Sequence, residues 1–269
     1  MSTGTEHETM LSEYCQDYVD SGKPALIYAL RHPRRSLNAY AALRQLPRLN
    51  APLTDTVEGA AIRDGLSRWS PVGRTVFHSA TSVLLLPQDP EEYHLGASKQ
   101  TLRRKSRAAE KLGVRWAKVD DPQEQRRLLT LADDHERTNP DPEYRQTKPN
   151  NTDLLKYRLW LVAYACDDQP ILLSVTPVDG EWALLSYFVT LGTGPEHSNA
   201  RYLMTQVLVE NLIGAGVRYL ADESSPIKLR SGLRHFQRML GFRIFRVSLT
   251  SLHGRRHQAT ASSQVSAEP

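Results

Sequence analysis

At 269 residues, with 40% hydrophobic and 24% charged side chains, the chain has room for one large domain or two small ones and enough apolar surface to bury a core. No run approaches the ~18 apolar residues of a membrane span. Met1–Glu6 has neither the basic nor the apolar region of a signal peptide, so a cytoplasmic protein is expected. The formal charge of +4 and the isoelectric point of about 9.1 suit an anionic ligand such as a nucleotide, a coenzyme or an RNA.

Residues 1–10 are polar, and 253–269 are rich in Ser, Ala, Gln and Arg without periodicity. Both are expected to be disordered. Between them the sequence divides into a small N-terminal lobe over 11–89 and a larger domain over 90–252. In the lobe, Ala25–Leu30 reads as a strand and Ser36–Leu46 as a helix. Pro47–Pro52 reads as a loop, Val57–Trp69 as a helix and Thr75–Leu86 as a strand entering a buried sheet.

From Asp89 the signals sharpen. Tyr93–Leu112 reads as a helix stopped by Gly113, and Val114–Val119 as a strand. Asp121 is the expected N-cap, with Pro122 in the first turn, of a helix running to about Asp134. Thr138–Asn150 carries three prolines and reads as a loop near a site. Thr152–Tyr157 reads as a helical turn. Three strands follow, Leu159–Cys166, Pro170–Val178 and Glu181–Val189, the last two joined by a two-residue hairpin signal at Asp179-Gly180. Leu191–Asn199 is a loop, Ala200–Ile213 an amphipathic helix and Val217–Leu220 a short strand. The second helix of this end stops at Gly241-Phe242.

Cys15 and Cys166 allow at most one bridge and form no CxxC pair for zinc, so reduced thiols are expected. His253 and His257 stand four apart in a Gly- and Arg-containing tail, where no metal site is expected. No Walker A motif, G-x-S-x-G elbow, H-E-x-x-H or dinucleotide fingerprint is present.

The order β, α, α, β, β, β, α, β, α, β from Val114, with three antiparallel strands before a βαβ crossover, resembles the GNAT N-acyltransferase fold. That fold is α+β, with a mixed, mostly antiparallel sheet flanked by helices. Ala97–Arg107 is similar to the segment L-S-x-K-x-R-x-x-I-R-x-A of the Fem-like, aminoacyl-tRNA-dependent branch. On this resemblance 11–89 corresponds to a truncated first lobe.

The resemblance implies an acyltransferase forming an amide on a small-molecule or peptide amine. It implies no tightly bound cofactor. The co-substrate is aminoacyl-tRNA, with acyl-CoA as the alternative; a non-catalytic module binding RNA or protein is a third reading. GNAT acetyltransferases carry Q/R-x-x-G-x-G/A before the long helix, where glycines let the backbone approach the coenzyme pyrophosphate. The two glycine positions fall here near Asn199 and Arg201, and their absence favours tRNA. Ser198 and Asn199 are either a helix cap, an anion site, or both, with Arg201 beside them. Lys99, Arg103, Arg107 and Lys111 recur every four residues, with Arg104 alongside, either as a phosphate-tracking stripe or as a solvated face.

The acyl group is expected where Glu181–Val189 and Val217–Asp222 splay apart. The resemblance assigns backbone amides around Tyr187–Val189 to the donor carbonyl. Asp222 and Glu223 are the candidate proton acceptors, or else solvated turn residues. GNAT enzymes often place a proton-donating tyrosine near the position of Gln237, which cannot act as an acid. His235 and Tyr187 are the alternatives.

Overall fold

The protein is described here as a computed structural model covering residues 3–67, 79–142, 144–224, 226, 229 and 231–251. Three helices open the chain, α1 (Thr3–Asp20), α2 (Ala25–Arg31) and α3 (Pro33–Gln45), followed by β1 (Arg48–Leu53) and α4 (Val57–Ser67). Next come β2 (Ser79–Leu85), the short α5 (Pro90–Tyr93), α6 (Gln100–Lys111), β3 (Arg115–Lys118) and α7 (Pro122–Thr138). Five strands follow: β4 (Leu159–Tyr164), β5 (Pro170–Thr176), β6 (Val178–Asp179), β7 (Trp182–Leu185) and β8 (Tyr187–Thr190). The chain continues through α8 (Pro195–Gly214), β9 (Tyr219–Asp222), α9 (Ser231–Leu240) and β10 (Arg243–Ser251).

The strands form two sheets, in the orders β1-β10-β2-β9-β7-β6 and β3-β4-β5-β8. β2 sits between β9 and β10 and is antiparallel to both, so strands from before residue 90 share a sheet with the C-terminal ones. α6 and α8 pack on one face of both sheets through Leu102, Ala109, Leu203, Val207 and Leu212. On the other face, α4 covers the first sheet with Ile62 and Leu66, and α7 covers the second with Leu128 and Ala132. The result is an α+β fold with a curled mixed sheet between helices, consistent with a GNAT-like architecture.

Several local readings shift. Ala25–Leu30 is helical, not extended; its six apolar residues suit either state, and Ala and Leu favour the helix. Arg48–Leu53 is a strand rather than a loop. It pairs in parallel with β10 at the sheet edge, where Pro52 is tolerated. The polar N-terminus is helical from Thr3, held to the sheet by Glu8, which accepts from Arg243 Nε and from the Ile244 amide, each at 3.0 Å.

The expected helix over Tyr93–Leu112 is broken at Gly96, whose φ of +90° is foreign to a helix. α7 runs on to Thr138, with Asp121 capping it through the Gln123 and Glu124 amides as expected. The hairpin loop is Gly180-Glu181, one residue later than the Asp179-Gly180 signal, because Asp179 pairs with Trp182. Gly180 supplies the positive φ that a primed turn needs. α6, α8 and α9 end alike: Gly113, Gly216 and Gly241 take positive φ. The next residue's amide then reaches back five positions, Val114 to Ala109, Val217 to Leu212 and Phe242 to Gln237.

Candidate functional site

The two sheets part at Ser186. Up to Leu185 the chain runs parallel to β9, with Leu185 opposite Asp222. The Ser186 amide then turns back to the Leu184 carbonyl at 2.8 Å, and β8 continues antiparallel to β5 as an edge strand. The Leu191 amide bonds the Ile171 carbonyl at 2.8 Å. By the alternation of an antiparallel ladder, the Tyr187 and Val189 amides therefore face β5, and those of Phe188 and Thr190 face the opening left by β9.

The carboxyl end of β9 lies at the mouth of that opening. Ser186 Oγ donates to Glu223 Oε2 at 2.7 Å, and the Glu223 amide reaches the Leu185 carbonyl at 3.4 Å. Glu223 is half-buried, whereas Asp222 is buried. Asp222 Oδ1 accepts the Ser224 amide and Oδ2 accepts Gln237 Nε2, both at 2.6 Å. Burial pushes the Asp222 carboxyl up to about 6; the bonds from Ser224 and Gln237 work against that rise, and the Glu223 charge adds to it. The Tyr157 phenol is also pushed up, first by burial, then by the Asp153 and Glu223 charges.

Gln237 links α9 to the Asp222 carboxylate. It cannot act as an acid, but it holds a buried carboxylate. Its signal was there: it occupies a core position on α9, in spacing with Leu233 and Leu240, where an apolar residue is expected. Gln237 also lines a cavity of about 330 Å³ between α1, α9, β2 and β10, with Ser12, Ser82, Leu229, Arg234 and Phe242. Arg234 is buried there. Its Nη atoms donate to the Ser12 and Leu229 carbonyls at 2.8 Å, and its Nε has no partner.

The other expected site residues do not join this group. Tyr187 alternates to the opposite face, where its hydroxyl donates to the buried Glu136 at 2.7 Å; burial and that carboxylate push its phenol far up. Val189 packs on the same side, within the α7 core. His235 is exposed on α9. Ser198 and Asn199 are not caps, because α8 begins at Pro195 with Gly194 as its N-cap. Ser198 is exposed, and its amide is spent on the Gly194 carbonyl at 3.0 Å. Asn199 is buried, with its Oδ1 unpartnered. The Arg201 guanidinium lies over the Phe236 ring at 4.6 Å, bridging α8 and α9.

The cationic stripe divides in two. Lys99 donates to the Leu240 carbonyl at the end of α9 and lies over the Tyr93 ring at 4.1 Å; burial brings its ammonium down to about 8. Arg103 holds the His94 and Gly96 carbonyls. These two are structural fasteners. Arg104, Arg107 and Lys111 are exposed and form no ion pair among the described residues. Arg107 edges a hollow of about 480 Å³ that also contains Glu91 and Glu110, so the local charge is mixed.

Cys15 and Cys166 are both free, and burial pushes the Cys15 thiol up to about 11. Among the described residues no group of three or more His, Cys, Asp or Glu is arranged to hold a metal. His253 and His257 lie outside the described residues, as does the whole of the expected C-terminal tail over 253–269. No described helix is long and apolar enough to cross a membrane.

No family profile and no curated protein sequence matches this chain. Among solved structures it is similar to L-PGS from Bacillus licheniformis, at 13% identity and TM-score 0.48, covering 69% of this chain and 63% of that one. It is also similar to the C-terminal domain (DUF2156) of a putative lysylphosphatidylglycerol synthetase from Agrobacterium fabrum, at 13% identity and TM-score 0.45, covering 63% and 59%. A conserved protein of unknown function from Bacteroides thetaiotaomicron matches at 10% identity and TM-score 0.45, over 69% and 66%. The chain thus spans about three-fifths to two-thirds of the length of these structures.

Proposed function

We propose that the chain is an acyltransferase that passes an aminoacyl group from aminoacyl-tRNA to an amine at the opening beyond Ser186. The observation that carries this reading is a buried Asp222 beside Glu223, at the point where the chain leaves β9 after β7 and continues as β8 with an unpaired edge. The donor carbonyl lies along that edge, with its oxygen toward the Phe188 and Thr190 amides, which are fixed by the sheet before any charge develops. The acceptor nitrogen attacks the carbonyl carbon, and the ester bond to the ribose oxygen breaks. The ammonium proton passes to the Asp222–Glu223 pair, and the departing oxygen takes up a proton. A carboxyl that titrates at about 6 is largely ionised at neutral pH and still holds a proton well.

The start of α8 favours tRNA over acyl-CoA as the donor. The space in front of Gly192 is filled by the His197 ring, and that in front of Gly194 by the Glu196 carboxylate. An acid at this helix terminus opposes a pyrophosphate rather than cradling it. Arg104, Arg107 and Lys111 supply an exposed basic face for an RNA backbone.

The test presents the purified chain with total aminoacylated tRNA or with acetyl-CoA, and with three acceptors: a small amine, a short peptide and phospholipid vesicles. Release of labelled amino acid into an acceptor, abolished by RNase, is the expected result. Transfer from acetyl-CoA that survives RNase would overturn the donor assignment. Tight tRNA capture without transfer to any acceptor would make the chain a binding module.

A further inference from the structure

We propose that α2 and α3 form a docking surface for an anionic lipid bilayer, lying flat in its headgroup layer. This inference is independent of the transfer reading, because it rests on residues far from Asp222 in the sequence and on none of the site's geometry.

The charge is the first observation. Residues 21–54 contain Lys23, Arg31, Arg34, Arg35, Arg44 and Arg48 and no Asp or Glu. The rest of the chain carries 28 Lys and Arg against 30 Asp and Glu, so the positive excess of the whole chain is concentrated in this one segment.

The second observation is apolar exposure. Leu26 and Leu30 are 72% exposed and Leu37 68%, with Ile27 and Tyr40 also open to solvent. These side chains are not surplus from a loose core, because the inward faces of both helices are already filled. Tyr28 is buried against the rings of Tyr14 and Tyr18, at 5.5 and 5.6 Å. Ala39, Ala42 and Leu46 are buried, Ala39 and Leu46 in a cluster with Leu11 and Cys15 of α1.

The two properties coincide on the same two consecutive helices. α2 and α3 are joined by His32 alone, which ends one helix and begins the next. On α3, Arg34, Leu37, Tyr40 and Arg44 follow helical spacing, so leucine and tyrosine are bracketed by arginines on the outward face. Arg35 is engaged with Asp17 at 2.6 Å, but Arg31, Arg34 and Arg44 are exposed without an ion pair among the described residues. Apolar side chains bracketed by cations match an anionic interface, where leucines enter the acyl boundary and arginines stay with phosphates. A nucleic acid would leave the leucines in water. A second copy of the chain would set like charges against one another.

The experiment is co-sedimentation of the full chain with phosphatidylcholine vesicles, with and without one quarter phosphatidylglycerol, in rising salt. The expected result is binding to the anionic vesicles alone, weakened by salt. Leu26→Gln with Leu30→Gln lowers the partition coefficient about tenfold or more. Arg31→Gln with Arg34→Gln lowers it about fivefold per charge. Both double variants keep the wild-type thermal melt, because the side chains changed are exposed. Absence of binding to anionic vesicles, or binding indifferent to the leucine pair, would overturn the proposal. So would a dimer in sedimentation velocity that the leucine pair dissolves.

Discussion

Two buried carboxylates flank the strand path 182–190, and their surroundings differ in kind. Glu136 accepts the Tyr187 hydroxyl at 2.7 Å and Asn151 Nδ2 at 3.3 Å, inside a cluster of aliphatic and aromatic side chains. Asp222 accepts two donors as well, but one of them, Gln237, also lines a cavity, and its neighbour Glu223 stands at the open mouth between the sheets. Both acids are almost equally buried. Burial and hydrogen bonding therefore do not distinguish a fastener from a functional group; what the acid's partners face does.

Removing the acids at the mouth has the largest expected effect. Asp222→Asn and Glu223→Gln each lower transfer by about 100-fold or more. The double variant is expected to be no worse than the poorer single one, because residues acting as a unit are not additive. Single-turnover rates check both statements. The closed acid behaves in the opposite way. Tyr187→Phe removes a donor from buried Glu136 and costs about 1–3 kcal/mol in urea unfolding, while transfer by the folded protein stays within about threefold of wild type. A large activity loss at unchanged stability would erase the distinction between the two acids.

The pH dependence of stability tests Asp222 independently. The Asp222 carboxyl is raised from 3.8 to about 6 in the folded state, so the folded chain binds this proton more tightly than the unfolded chain. Its stabilising contribution is complete below 3.8 and is lost as pH rises through 6. Asp222→Asn is therefore expected to melt higher than wild type at pH 8, by at most about 3 kcal/mol of stability, with no advantage at pH 4. A smaller effect comes from Gln237→Met, which removes a donor to the ionised carboxylate. The midpoint of the pH–rate profile should then move upward by about one unit or less.

The smallest effect concerns Lys99, whose ammonium is lowered to about 8 by burial. Its stabilising contribution is present above the unfolded value of 10.5 and is lost as pH falls through 8. Thermal melts should therefore show wild type gaining on Lys99→Met between pH 8 and 10.5.

The parts of this fold set by local chemistry were legible in the sequence. The strand from Leu159, the Asp121 cap and the glycine stops at Gly113 and Gly241 depend on near neighbours and are readable in place, whereas the expected strand Glu181–Val189 is split at Ser186 into β7 and β8, which belong to different sheets. What was not legible depends on distant partners. β1 is extended because β10 lies alongside it, about 200 residues later in the chain. Gly96 divides the cationic helix, and that turn places Lys99 and Arg103 on backbone carbonyls rather than in solvent. The rule that ligands gather at strand ends points to Asp222 and Glu223, and the structure places them at the carboxyl end of β9. Tyr187 opens β8 in the second sheet rather than continuing the strand beside β9, and its direction follows from a ladder register that no local pattern fixes. Gln237 cannot donate a proton in catalysis, and its part follows instead from its burial beside Asp222, a contact between residues 15 apart that no local pattern shows.

The most direct test of the account is the pH profile of single-turnover transfer from labelled aminoacyl-tRNA, measured from pH 5 to 8 with wild type and Asp222→Asn. The account predicts a wild-type rate that rises with a midpoint near 6, and a variant rate at least about 100-fold lower without that rise. Equal rates with the same profile in both proteins would contradict it and remove Asp222 from the chemistry.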